Sequence, residues 1–203
     1  MGLIRKRLRA AADILLGPAC FAVVKLGAAY AARRELGKAD RVGPGTTARE
    51  GFSVANEGRL EIGSGVSFGL GVELIVYAGG RIVIGDNVFV GNGCVIHADR
   101  GSISIGDDTL IAEHVSIRAS NHGKAAGRRL REQPNRVEDV VVGSDVWLGK
   151  GAIICAGAKV GDGCIIGANS VVNRETEPQS ICAGAPARPI GRREGPPPSS
   201  GSR

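Results

Sequence analysis

His122 is the side chain whose type and place best suit chemistry. It ends the hexad that begins at Ile117, just before a polar stretch, 123–139, that interrupts an otherwise regular apolar rhythm. Imidazole titrates near neutrality, so it can take the proton of a weak nucleophile such as an alcohol and give it up again. The other histidines, His97 and His114, are followed by steps of 17 and 8 residues and fall at different phases of that rhythm. A three-histidine zinc centre needs tight convergence, so no metal is expected. The five cysteines form no CxxC pair, and Cys94 and Cys164 fall where small apolar residues recur, which makes them buried hydrophobes. No serine or cysteine is placed as a covalent nucleophile, so no covalent intermediate is expected. The interrupting stretch carries Lys124, Arg128, Arg129, Arg131 and Arg136. It is either a solvated charge run or an attractor for an anionic glycan or for phosphates.

The elements that position these residues are written in a repeat. Six aliphatic residues stand six apart at Val142, Leu148, Ile154, Val160, Ile166 and Val172. The same step joins Ile84, Val90 and Ile96, then Ile105, Ile111 and Ile117, with weaker members at Ile62, Phe68 and Leu74. Glycine often follows the lead residue, and Asp, Asn or Ser often comes next, as in Gly85–Asp86 and Gly161–Asp162. Neither a helical nor a simple strand period locks glycine to one phase of a six-residue step. A triangular coil does: each face is a short strand with its lead aliphatic inward, and the polar pair turns the corner. Composition agrees. There are 32 glycines in 203 residues, about twice the usual share, and aromatic residues are only 3%. Stacked coils let small aliphatics pack without rings.

The run VGSDVWLGKGAIICAGAKVGDGCIIGANSVVNRETEPQSICAGAPARPIGR resembles the C-terminal signature of the hexapeptide-repeat acyltransferases, most specifically in DVWLGKGA, GANSVV and AGAPARPI. IRASNHG, then a loop, then VWLG is most similar to the sugar and polysaccharide O-acetyltransferase branch, including the maltose and galactoside enzymes. The resemblance spans roughly residues 60–192. It implies an all-β fold, a left-handed parallel β-helix of hexapeptide repeats, here with an N-terminal helical segment. It also implies homotrimers whose active sites lie between subunits, with acetyl-CoA as acyl donor.

By the same resemblance His122 is the general base. Gly149 and Ala168 fall at turns where a larger side chain would block the pantetheine arm. Asn173, Arg174 and Arg188 match cofactor-contacting positions, the arginines being suited to phosphate. Asn92 matches an acceptor-side position. Trp147, the one tryptophan, is either a packed core ring or a wall of the acceptor pocket. The implied reaction moves an acetyl group to a hydroxyl, of a sugar or polysaccharide precursor, in a ternary complex, with backbone N–H groups near Gly149 holding the oxyanion. Two rivals remain: a non-catalytic β-helix scaffold, and a zinc enzyme resembling the γ-type carbonic anhydrases.

The expected organisation is a basic N-terminal helical segment over 1–36, a linker over 37–58, the β-helix over 59–192 with its looped-out segment, and a disordered tail over 193–203. Residues 1–49 hold ten Lys/Arg against three Asp/Glu, whereas the rest is nearly neutral. No nucleic-acid-binding pattern accompanies that charge. The N-terminal segment is expected either to cap the coil stack or to make peripheral membrane contact, which would place a cytoplasmic enzyme at the inner face of the membrane. The acceptor's identity is not written in the sequence.

Overall fold

The computed structural model describes residues 18–195. The expectations for residues 1–17 and 196–203 lie outside those described. A helix, Pro18–Leu36, leads into a parallel β-helix of about six turns. Its first face stacks Arg41–Val42, Arg59–Ile62, Arg81–Ile84, Ser102–Ile105, Val140–Val142, Lys159–Val160 and Glu175–Thr176. The second stacks Thr47–Ala48, Ser67–Phe68, Phe89–Val90, Leu110–Ile111, Trp147–Leu148, Ile165–Ile166 and Ser180–Ala183, with Arg188–Arg192 returning antiparallel beside the last. The third stacks Ser53–Asn56, Glu73–Val76, Val95–Ala98, Ser116–Arg118, Ile153–Ile154 and Val171–Val172.

The lead aliphatics all point inward. Ile105 sits in register between Ile84 and Val142, and Leu148 between Ile111 and Ile166. All six are at most 2% exposed, so like side chains stack on like through the core. Cys94 and Cys164 are fully buried among them. At the corner between the first and second faces, carboxylates stitch coil to coil. Asp86 Oδ1 accepts the Ser64 N–H at 2.6 Å, Asp107 Oδ1 accepts the Asp86 N–H at 2.7 Å, and Asp162 Oδ1 accepts the Ser144 N–H at 2.8 Å. Left-handed backbone falls one residue later, at Asn87, Asp108 and Asp145. The glycine that follows each lead residue answers a different need. At Gly149 a Cβ would lie 2.7 Å from Ala168 N and from Ile166 O, both rigid backbone atoms of the next coil.

Two expected boundaries are corrected. Residues 37–58 are not a linker: Arg41–Val42, Thr47–Ala48 and Ser53–Asn56 pair in parallel with Glu61–Ile62, Ser67–Phe68 and Glu73–Val76, and so form the first coil. Its leads keep the six-residue step at Val42, Ala48 and Val54, in register with Ile62, Phe68 and Leu74, but of the three only Val54 is buried, and Phe52 adds to the core with its ring centroid 4.8 Å from that of Phe68. Nor does the tail start at 193. The Arg193 N–H donates to Gln179 O, and its guanidinium binds Asp145 Oδ2 at 2.7 Å and Gly163 O at 3.2 Å.

The helix closes the open end of the stack. Ala32 and Leu36 are buried against the first coil. Glu35 Oε2 accepts the Val54 N–H at 2.9 Å, while Lys38 Nζ binds Glu35 Oε2 at 2.7 Å and Val54 O at 3.2 Å. These contacts satisfy an edge that would otherwise be an unpaired strand. No described helix is long and apolar enough to cross a membrane.

Candidate active site

His122 stands where the coil is interrupted, at the corner between the third and first faces. The strand Ser116–Arg118 ends there, and the chain leaves the stack through a two-stranded antiparallel hairpin in which Ser120 pairs with Val137 and Asn121 with Arg136. The arm beyond is ordered by Gln133. Its Oε1 accepts the Ala125 N–H at 2.7 Å, and its Nε2 donates to Ala125 O at 3.0 Å and to Arg128 O at 3.1 Å. The arm's return is pinned to the stack: Asn135 Nδ2 donates to Asp99 Oδ2 at 2.6 Å, and Asp139 Oδ1 accepts the Ser102 N–H at 2.8 Å. At the base of the arm, around the hairpin, lies a pocket of about 300 Å³ lined by Asn121, His122, Lys124, Arg136 and Glu138. Arg136 pairs with Glu138 at 3.2 Å. The imidazole of His122 is exposed and makes no hydrogen bond to a described residue, so both ring nitrogens are open to a ligand. A larger hollow of about 560 Å³ lies between the helix and the first coil, and Arg33 is the only ionisable residue among its described lining residues.

One strand away, His97 is a different kind of histidine. Its Nδ1 lies 2.7 Å from Arg118 Nη2, and a guanidinium can only donate, so the ring is neutral with its proton on Nε2. That Nε2 is buried without a hydrogen-bond partner, and the ring meets Tyr77 nearly perpendicularly at 4.9 Å. Burial, and secondarily Arg118, hold its pKa below the ordinary histidine value. His114 sits at the far corner of the third face, so the three histidines occupy three different places. Among the described residues no group of three His, Cys, Asp or Glu side chains could hold a metal.

The remaining candidates divide between two edges of the prism. Asn92, Gly149 and Ala168 stack at the corner between the second and third faces. There the Asn92 Oδ1 accepts the Leu70 N–H at 2.8 Å, which gives this side chain a structural duty of its own. Arg188 pairs with Ala183 where the second face ends, near the same edge. Asn173 and Arg174 instead follow the last third-face strand, on the edge that carries His122. Trp147 is not a packed core ring. It is 51% exposed on the outside of the second face, in register with Leu110 and Ile165. It points out because strand alternation gives the inward place to Leu148. Five residues of extended chain span about 15 Å, so the two edges of one chain cannot grip one small ligand. The sequence singled out His122 and the arm's cations but not Asn121 or Glu138. They meet His122 through an antiparallel hairpin, which leaves no trace in a six-residue parallel repeat.

A stacked hexapeptide coil with a histidine at its one long interruption defines a class, and comparison with known proteins agrees. Residues 139–174 match the family described as bacterial transferase hexapeptide (six repeats), and residues 81–113 match the hexapeptide repeat of succinyl-transferase. The chain is 36% identical over 145 residues to the putative lipopolysaccharide biosynthesis O-acetyl transferase WbbJ of Escherichia coli K12, which covers 68% of this chain and 74% of that protein. It is 32% identical to the galactoside O-acetyltransferase of the same organism over 55% of this chain and 54% of that one. Among solved structures, galactoside acetyltransferase in complex with coenzyme A superposes with a TM-score of 0.54 at 30% identity, covering 60% of this chain and 59% of that one. A variant of AntD, an N-acyltransferase from Bacillus cereus in complex with dTDP and coenzyme A, superposes with a TM-score of 0.71 over 80% of this chain and 90% of that one; at 20% identity it shows the fold alone. The chain belongs to the hexapeptide-repeat acyltransferases.

Proposed function

We propose that the protein transfers an acetyl group from acetyl-CoA to a hydroxyl of a sugar or polysaccharide precursor, with His122 as general base. The observation that carries this is the exposed, uncommitted imidazole of His122 in a polar pocket at the one long interruption of the coil. Relatives named as O-acetyltransferases support the acyl group and the acceptor class. His122 takes the proton as the acceptor oxygen attacks the thioester carbonyl, and returns it to the departing thiolate as the carbon–sulfur bond breaks. Backbone N–H groups near Gly149 receive the developing oxyanion. Asn173, Arg174 and Arg188 hold the cofactor end of the donor, while Asn92 and Trp147 serve the acceptor side.

This set spans two edges of the prism, so the proposed enzyme is a homotrimer in which the His122 edge of one subunit meets the Gly149 edge of the next. The exposed Phe89, Leu110 and Trp147, 47–52% accessible in the single chain, offer apolar surface for such a contact. The proposed location is the cytoplasm at the inner face of the membrane, to which the basic residues 1–36 would hold it.

The test is His122→Ala, read by thiol release from acetyl-CoA. Turnover should fall about 10²–10⁴-fold with coenzyme A affinity unchanged, since only proton transfer is lost. Near-wild-type turnover would remove His122 from the reaction.

A further inference from the structure

We infer that the acceptor carries an anionic group, a carboxylate or phosphate, near the hydroxyl that is acylated, and that Lys124 receives it. The inference rests on the acyl-transfer function proposed above and names the substrate class of the same pocket.

Three observations lead to it. The first is where the charge sits. Without 123–139, residues 50–203 hold eleven Lys/Arg against fourteen Asp/Glu, whereas 123–139 hold five against three. The cationic part of the β-helix domain is therefore the arm that follows His122. The second is which cation is left over. Arg136 is paired with Glu138 at 3.2 Å, and both line the pocket. Lys124 lines the same pocket and has no ion pair or hydrogen bond among the described residues. The pocket thus keeps one uncompensated positive charge, two residues from the proposed base.

The third is that this lysine is placed by its backbone rather than trailing from a loose loop. On one side of it, a Cβ at Gly123 would stand 2.8 Å from Gln133 Cβ and 3.0 Å from Pro134 O, so only glycine lets the chain lie that close. On the other side, the Gln133 amide holds both the N–H and the C=O of Ala125. Fixing a cation in advance is useful where a partner charge must be oriented, because the ordering cost is already met in the fold.

The donor's own phosphates are the competing explanation, and the geometry of the donor argues against them. A pantetheine arm separates those phosphates from the thioester, and the pocket around the base receives the reacting ends. A fixed charge two residues from His122 therefore addresses the acceptor.

The experiment measures binding of methyl glucuronide, glucose 6-phosphate and methyl glucoside to the full-length protein saturated with coenzyme A. The expected result is that one or both anionic sugars bind about 10–100-fold more tightly than the neutral one, as for a hydrogen bond to a charged group. Raised salt should weaken that preference. The probe that benefits tells carboxylate from phosphate. Lys124→Gln should abolish the preference with coenzyme A affinity unchanged. Arg131→Gln, in the short 3₁₀ turn Leu130–Glu132 outside the pocket, should keep it. Equal binding of all three sugars overturns the inference. So does a preference that survives in Lys124→Gln or is lost equally in Arg131→Gln, and so does a fall in coenzyme A affinity, which would assign the lysine to the donor. Thiol release absent with every acceptor, while the anionic preference stands, would sink the acyl-transfer function and leave Lys124 as the anion-binding group of the pocket.

Discussion

Replacing Gly149 with alanine tests whether this corner is small for the sake of a ligand or for the sake of the fold. The added Cβ would meet Ala168 N and Ile166 O at 2.7 Å, far inside contact distance, and both are backbone atoms of the next coil. No rotamer relieves such a clash. The coil must open there, against the Gly149 N–H bond to Ile166 O at 2.7 Å. Overpacking of this kind costs about 1–3 kcal/mol. For a chain of this length that is a melting temperature lower by roughly 3–10 °C. The matched variant is Ala168→Leu, one coil on, where the native side chain is exposed and an added group meets solvent. Its stability should change by less than about 0.5 kcal/mol, while its KM for acetyl-CoA rises if the donor passes along this edge. Both variants are followed by scanning calorimetry and by thiol release. An unchanged melting temperature in Gly149→Ala, with a raised KM, would refute the stacking argument and restore the ligand one.

Arg174→Ala and Arg188→Ala should each raise KM for acetyl-CoA more than they lower kcat, because contacts remote from the reacting atoms bind ground and transition states alike. Unchanged donor affinity in the double variant would remove both from the donor site. The folded-state pKa of His97 is lowered, so the unfolded chain binds more protons just below the ordinary value of 6.5. Stability should therefore be full above that value and fall as the pH drops from it toward the depressed folded value, and His97→Gln should flatten this slope in urea titrations at pH 7.5 and 5.5; a slope unchanged by the substitution would refute it. Removing residues 1–37 strips the helix from the first coil and bares the surface that Ala32 and Leu36 cover, so the truncated protein should melt lower and tend to aggregate. Co-sedimentation with anionic vesicles, compared between the two lengths, decides whether the basic segment also meets lipid: salt-sensitive binding of the full chain alone supports the anchor, and equal binding defeats it.

The β-helix was legible in the sequence because its core is local in form. Each hexad carries its own inward aliphatic and its own polar corner, and the pattern repeats until chance is excluded. The fixed phase of Val142 through Val172 announces three faces, and the break after Ile117 announces the arm and the histidine beside it. The first coil was not legible, because its leads Val42, Ala48 and Val54 keep the six-residue step but include a small alanine, and the eight-residue step from Val54 to Ile62 breaks their phase with the run that follows. The glycines after each lead residue had a cause outside their own hexad, since what excludes a Cβ at Gly149 is the backbone of the coil beneath it. The orientation of Trp147 and the meeting of Asn121, His122, Arg136 and Glu138 were likewise decided by tertiary structure. Strand alternation turns the indole outward, and an antiparallel hairpin forms the pocket, joining residues fourteen or more apart in a way that no parallel period records. The sequence determined which residues repeat; the contact between successive coils decided which side of each faces the core, a neighbour or the site.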